Sequence, residues 1–151
     1  MIVQSDLDAG GGCSYPIALC NALEFWGLPH PEPGTPMWEV LIDLSSCRHG
    51  RGKIEQFLGV VTLLRDRESL SEQRDFPLVV AVHDPKLGLG YHSILVTARD
   101  TDNDLYAVVN FEGEPQRWVA EVVIEIAKAS KPPSIAWVVP QYHLLRKVGR
   151  P

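Results

Sequence analysis

Apolar residues recur at helical spacing near the start of the chain. Ile17, Cys20, Leu23 and the pair Phe25–Trp26 fall on one side of a helix. Pro16 suits its first turn, where a missing N–H costs nothing, and Gly27 is a natural stop. The pattern predicts a helix from about Pro16 to Trp26, capped by Ser14 or Tyr15. Pro29–Gly34 reads as an extended link, followed by a second helix from Pro36 to Leu44 and a third from about Lys53 to Leu64. After Pro77 the spacing changes. Leu78–Val82 is a continuous β-branched run, and Tyr91–Ala98, Leu105–Phe111 and Ile135–Val139 read as further strands. The polar run Asp100–Asp104 between two of them fits a hairpin turn. Within Trp118–Ala129 the positions Val119, Val122, Val123 and Ile126 fit a helix somewhat better than a strand. Helices first and an antiparallel sheet afterwards make an α+β arrangement.

Composition narrows the class without changing this picture. The 151 residues suit one domain, expected over 1–140, with 141–151 as a basic tail. The content of 45% hydrophobic and 22% charged residues excludes disorder, collagen and a disulfide scaffold. A net charge of −5 with no basic stripe makes nucleic acid a poor partner. No apolar run is long enough to span a bilayer, and the N-terminus lacks the pattern of a signal peptide. A cytoplasmic protein without membrane contact is therefore expected. Cys13, Cys20 and Cys47 are then reduced thiols. Their spacing holds no Cys-x-x-Cys knuckle, so no metal is expected.

Three residues attract chemical interest. Cys13 follows Gly10-Gly11-Gly12 and directly precedes the first helix. The positive end of a helix favours thiolate, the nucleophilic form, and glycines leave room for a substrate chain. Cys20, two turns further on, belongs inside. Cys47 is expected to be partly exposed and without a role. A thiol nucleophile needs a base, and the base needs a group to orient it. His92 opens one strand and Asn110 closes the next. A hairpin about Asp100–Asp104 would set His92 opposite a residue close to Asn110, whose side-chain carbonyl could accept from the imidazole. Singly, each has a plainer reading: Cys13 as a small buried hydrophobe, His92 as a half-buried strand histidine, Asn110 as a turn former. His83, beside Asp84, is the second candidate base but lacks an orienting residue at hairpin distance. His30, His49 and His143 rank lower.

The segment Gly12-Cys13-Ser14-Tyr15-Pro16-Ile17-Ala18-Leu19-Cys20-Asn21-Ala22-Leu23-Glu24-Phe25-Trp26-Gly27 resembles the nucleophile helix of papain-fold cysteine peptidases of the bacteriocin-processing (double-glycine leader) type. Phe76-Pro77-Leu78-Val79-Val80-Ala81-Val82 is similar to the strand before their catalytic histidine. Tyr91-His92-Ser93-Ile94-Leu95-Val96 is similar to the histidine strand, and Val108-Val109-Asn110-Phe111-Glu112-Gly113 to the segment carrying the Asp or Asn. The resemblance runs from about Gln4 to Val139, in the papain order Cys, His, Asn. It implies a papain-like fold, with N-terminal helices packed on a C-terminal antiparallel sheet and a cleft between them. It implies Cys13 as nucleophile, His92 as general base and acid, Asn110 as orienter and Gln4 as oxyanion donor. Gln4 stands nine residues before Cys13, farther than the family's usual spacing. Ser14-Tyr15 stands between Cys13 and Pro16 where the family tends to have Gly-Pro.

The function expected from these residues is thiol-dependent acyl transfer without a cofactor, foremost hydrolysis of a peptide or isopeptide bond in a peptide or protein substrate. A deamidase, transglutaminase-like enzyme or acyltransferase would use the same groups on a different acceptor. The alternative of another class is a non-catalytic papain-fold module that binds a peptide in its cleft. An adaptor or immunity-type protein, in which the three residues are incidental, is a further alternative.

Overall fold

A helix that is apolar on every side is buried on every side, and the middle turns of the first helix come close to that. In the computed structural model, which describes residues 1–4, 7, 13–46, 49–65, 69–83, 91–129 and 135–148, helix α1 (Ser14–Phe25) has Ile17 through Leu23 buried without a break. It begins one turn fragment earlier than its proline suggests, with Cys13 itself at the N-cap. Gly27, at φ 74, ends it, and the amides of Trp26, Gly27 and Leu28 cap its last carbonyls. The one amide inside this apolar helix, Asn21, is fully buried and spends both its polar atoms on Ile2. Ile2 N donates to Oδ1 and Nδ2 donates to the Ile2 carbonyl, each at 2.8 Å. The chain start is thereby laid along α1.

Helix α2 (Pro36–Ser45) starts as its sequence predicts, with Pro36 at N1 and Thr35 Oγ1 accepting from Trp38 N. Helix α3 (Gly50–Leu58) is shorter than expected. Gly59 takes left-handed backbone at φ 69 and stops it. The β-branched Val60-Val61-Thr62 then leads strand β1 (Val60–Leu64), which the apolar spacing alone had joined to the helix. The other strands are β2 (Leu78–His83), β3 (Tyr91–Asp100), β4 (Leu105–Val109), β5 (Arg117–Ala120) and β6 (Ile135–Pro140). The segment Trp118–Ala129 divides: its start is β5, an edge strand, and α4 (Glu121–Ala127) follows. Gln141–Val148, set apart above as a tail, forms the eight-residue helix α5. Gln141 N donates to the Gly59 carbonyl at 2.8 Å, and the His143 ring lies 4.9 Å from that of Trp26.

The class is α+β, with a six-stranded, wholly antiparallel sheet in the order β1-β6-β2-β3-β4-β5. Strand alternation divides its apolar residues between two cores. Val79, Leu95, Val109, Ala136 and Val138 pack under α1, α2 and α3. Leu78, Val80, Val82, Ile94, Val96 and Val108 pack on the other face with Leu70, Tyr106 and Ile124 of α4. No helix among the described residues is long and apolar enough to cross a membrane.

One irregularity of the sheet makes room for the site. The β3–β4 ladder starts at Leu95–Val109 and shifts register between Val96 and Ala98, leaving an extra residue at Thr97. β4 ends there because Asn110 turns left-handed, at φ 68. Tyr91–Ile94 therefore runs past the end of β4. The N-terminus of α1 stands in the vacated row, where Ser93 N donates to Ser14 Oγ at 3.1 Å.

Candidate active site

Cys13, Gln4, His92 and Asn110 lie 4, 8, 6 and 1% exposed. Polar side chains so deeply buried need partners, and these four bond to one another. Gln4 Nε2 donates to Cys13 Sγ at 3.1 Å. Gln4 N donates to Asn110 Oδ1 at 2.6 Å. His92 Nε2 is 2.7 Å from the Asn110 main-chain carbonyl. The Ser93–Ser14 bond joins the residues directly after His92 and Cys13. The bonds close into a ring that draws together residues 106 positions apart.

Each group is set by its own element. Cys13 is the N-cap of a twelve-residue helix, with no side-chain cap bond, and its carbonyl accepts from Ile17 N at 3.1 Å. The free N–H groups of such an end are positive and suit an anion. His92 sits in the part of β3 that overhangs β4, across from Val82. Alternation puts it in the row of Ile94 and Val96, on the face away from the helical core that holds Cys13, and its ring meets the Asn110 carbonyl. Gln4 is carried by the N-terminal segment that Asn21 pins to α1.

The expected pairing of His92 with Asn110 differs in two respects. Continuing the ladder past Leu95–Val109 sets Asn110 opposite Ile94, two residues from His92, because the turn pairs Asp100 with Leu105 and so lies farther along the chain than expected; the bulge at Thr97 recovers one residue of that offset. The group that holds the imidazole is then the main-chain carbonyl of Asn110, not its side chain. A carbonyl oxygen only accepts, so Nε2 carries the proton and Nδ1 of the neutral ring is left bare as the basic nitrogen. Two further bonds fix that carbonyl: Gly113 N donates to it at 3.2 Å, and Asn110 N donates to Glu114 O at 2.9 Å.

The other histidines are placed differently. His30 lies near Glu24 and Glu32, His143 against Trp26, and His49 at the N-cap of α3. His83 is exposed at the end of β2, opposite Tyr91. Cys20 is fully buried, and burial, with Glu32 adding to it, pushes its thiol up to about 12. Cys47 and the glycines at 10–12 lie outside the described residues, as does Asp84. The described residues contain no group of three or more His, Cys, Asp or Glu able to hold a metal ion.

The sequence reading missed two contributors. Ser14 was read as a cap, yet its hydroxyl serves strand β3. Tyr15 was read the same way. It instead lines a cavity of about 270 Å³ with Arg51, Glu55, Ser93, Val79 and Ala136. Tyr15 OH donates to Glu55 Oε1 at 2.5 Å, and Thr62 Oγ1 donates to the same oxygen at 2.7 Å. Burial and the Glu55 bond hold the Tyr15 phenol well above its ordinary range. No spacing signal links Tyr15, Glu55 and Thr62, because α1, α3 and β1 meet only in the fold. Compared with known proteins, the chain matches no family model and no curated protein.

Proposed function

We propose that the protein is a papain-like enzyme that transfers an acyl group through the Cys13 thiol and hydrolyses a peptide or isopeptide bond of a peptide or protein substrate. The reading assigns it to the cytoplasm, without a cofactor and without nucleic-acid or membrane partners. The observation that carries it is the bond from the Gln4 amide to the Cys13 sulfur at a helix N-terminus, inside the same ring of bonds as His92. A donor beside a nucleophile is what an acyl transfer needs, since charge appears on the carbonyl oxygen as the sulfur attacks.

In this reading His92 takes the Cys13 proton through Nδ1, and the thiolate adds to the substrate carbonyl carbon. The carbonyl electron pair moves to oxygen, where Gln4 Nε2 and the first amides of α1 donate to it. As the tetrahedral centre collapses, the imidazolium passes its proton to the leaving nitrogen and a thioester remains on Cys13. Water, deprotonated by His92, attacks that thioester and restores the thiol. An amine in place of water would make the same groups a transferase.

Reaction with 4-nitrophenyl acetate tests the chemistry without a known substrate. The expected result is acetyl on Cys13 in the intact mass, followed by steady release of 4-nitrophenolate that His92→Ala slows by about 10²–10⁴-fold. Acetylation elsewhere, or none, would overturn the catalytic reading and favour the peptide-binding module. The deep burial of all four groups is the observation on that module's side.

A further inference from the structure

Asn110 is the family-implied orienter of the histidine, yet its side chain makes its bond elsewhere. The Gln4 amide can only donate, so the atom facing it at 2.6 Å must be the Asn110 oxygen. Nδ2 is buried with no hydrogen-bond partner. The imidazole is held by the main-chain carbonyl, and the 110–114 turn fixes that carbonyl through the amides of Gly113 and Asn110. We infer that Asn110 is a positioning residue with divided duties: its backbone orients His92, and its side chain latches the Gln4 segment so that Gln4 Nε2 meets the oxyanion.

The physical case rests on how residues 1–4 are held. Two bonds from Asn21 pin Ile2 to α1, and Val3 is 3% exposed in the helical core. Gln4 is the next residue, and the Asn110 bond ties its backbone to the end of β4. An oxyanion donor is effective only when already in place, because reorganising it during the reaction forfeits its contribution. Deleting the latch should therefore act as deleting the donor. The left-handed backbone at φ 68 is one that glycine adopts without strain, so Asn110→Gly removes the side chain and leaves the carbonyl where it is.

This inference rests on the acyl-transfer reading, and the experiment separates the two. N-acetylglycinal labelled with ¹³C at the aldehyde adds reversibly to a thiolate. The sulfur bonds to the carbonyl carbon, the π pair moves to oxygen, and the resulting alkoxide takes a proton, with no other reactant. The hemithioacetal signal gives its dissociation constant, and the pH profile of Cys13 alkylation by iodoacetamide reads the thiol–imidazole pair. Asn110→Gly and Gln4→Ala should each weaken the adduct about tenfold or more. The double variant should be no weaker than either, and the alkylation profile should move by the same small amount in all three, since each takes the Gln4 donor away from the Cys13 sulfur. Losses that multiply, or an alkylation profile that shifts to that of an ordinary thiol in Asn110→Gly alone, overturn the assignment and leave the catalytic reading standing. A wild-type protein that forms no adduct and alkylates Cys13 only at alkaline pH overturns both.

Discussion

The two described cysteines stand at either end of the same stretch of α1, and both are buried: Cys13 at 4% exposure and Cys20 at 0%. Burial does not tell them apart. What differs is the company each keeps. Cys20 lies in the middle of the helix in the apolar core, and desolvation pushes its thiol up to about 12. Cys13 lies where the helix begins, with the Gln4 side chain donating to its sulfur. The first environment suits only a neutral thiol. The second is laid out for negative charge, on the sulfur and on an oxygen bound next to it. The two thiols thus differ in which polar atoms meet them, not in their exposure.

The sharpest way to break that comparison is to delete each sulfur in turn. Cys13→Ala should reduce 4-nitrophenyl acetate turnover to the rate in buffer, while Cys20→Ala should leave it within about twofold, since an inert core thiol takes no part. Steady-state absorbance checks both, and equal losses would show that α1 packing alone matters. Smaller effects sharpen the account of Cys13. His92→Ala should lower turnover by about 10²–10⁴-fold, the range for a lost general base. Gln4→Ala should cost ~10²–10³, the range for one oxyanion donor.

The smallest effect concerns stability. The Cys20 thiol and the Tyr106 phenol have ordinary values of 9.0 and 10.0, and burial raises each to about 12 in the folded protein. Both are neutral below those ordinary values in either state. Between the ordinary and the raised value, the unfolded chain has released protons that the folded protein still holds. Stability must therefore fall as pH climbs from about 9 towards 12. Urea denaturation at pH 8 and at higher pH should show the midpoint dropping, and Tyr106→Phe should make the drop shallower. At pH 8 that substitution should be neutral or stabilise by up to ~1 kcal/mol, because the fully buried Tyr106 hydroxyl has no hydrogen-bond partner to lose.

Much of the fold was legible because its signals are local. Pro16, Thr35-Pro36 and Gly27 mark helix ends through the chemistry of their own backbone, and Leu78–Val82 announces a strand by its β-branched run. Strand β1 was not legible, since Val60–Leu64 continues the apolar spacing of α3 and only the left-handed turn at Gly59 divides them. The residues of the site could be nominated from order and spacing, but their contacts could not. The bulge at Thr97 moves the hairpin register, and the positive φ at Asn110 decides that a carbonyl, not an amide, meets His92. Neither leaves a mark in hydrophobic periodicity. The nine-residue step from Gln4 to Cys13 likewise became a contact only because Asn21 and Asn110 hold Ile2 and Gln4 in place.

The central claim is that Cys13 works with His92 as a thiolate–imidazole pair. The most direct test is the alkylation rate of each cysteine by iodoacetamide at pH 6, mapped by mass spectrometry in the wild type and in His92→Ala. The account predicts rapid labelling of Cys13 in the wild type, none of Cys20, and loss of the Cys13 labelling in the variant. A wild-type Cys13 that reacts no faster at pH 6 than Cys20, or that keeps its labelling in His92→Ala, would contradict it.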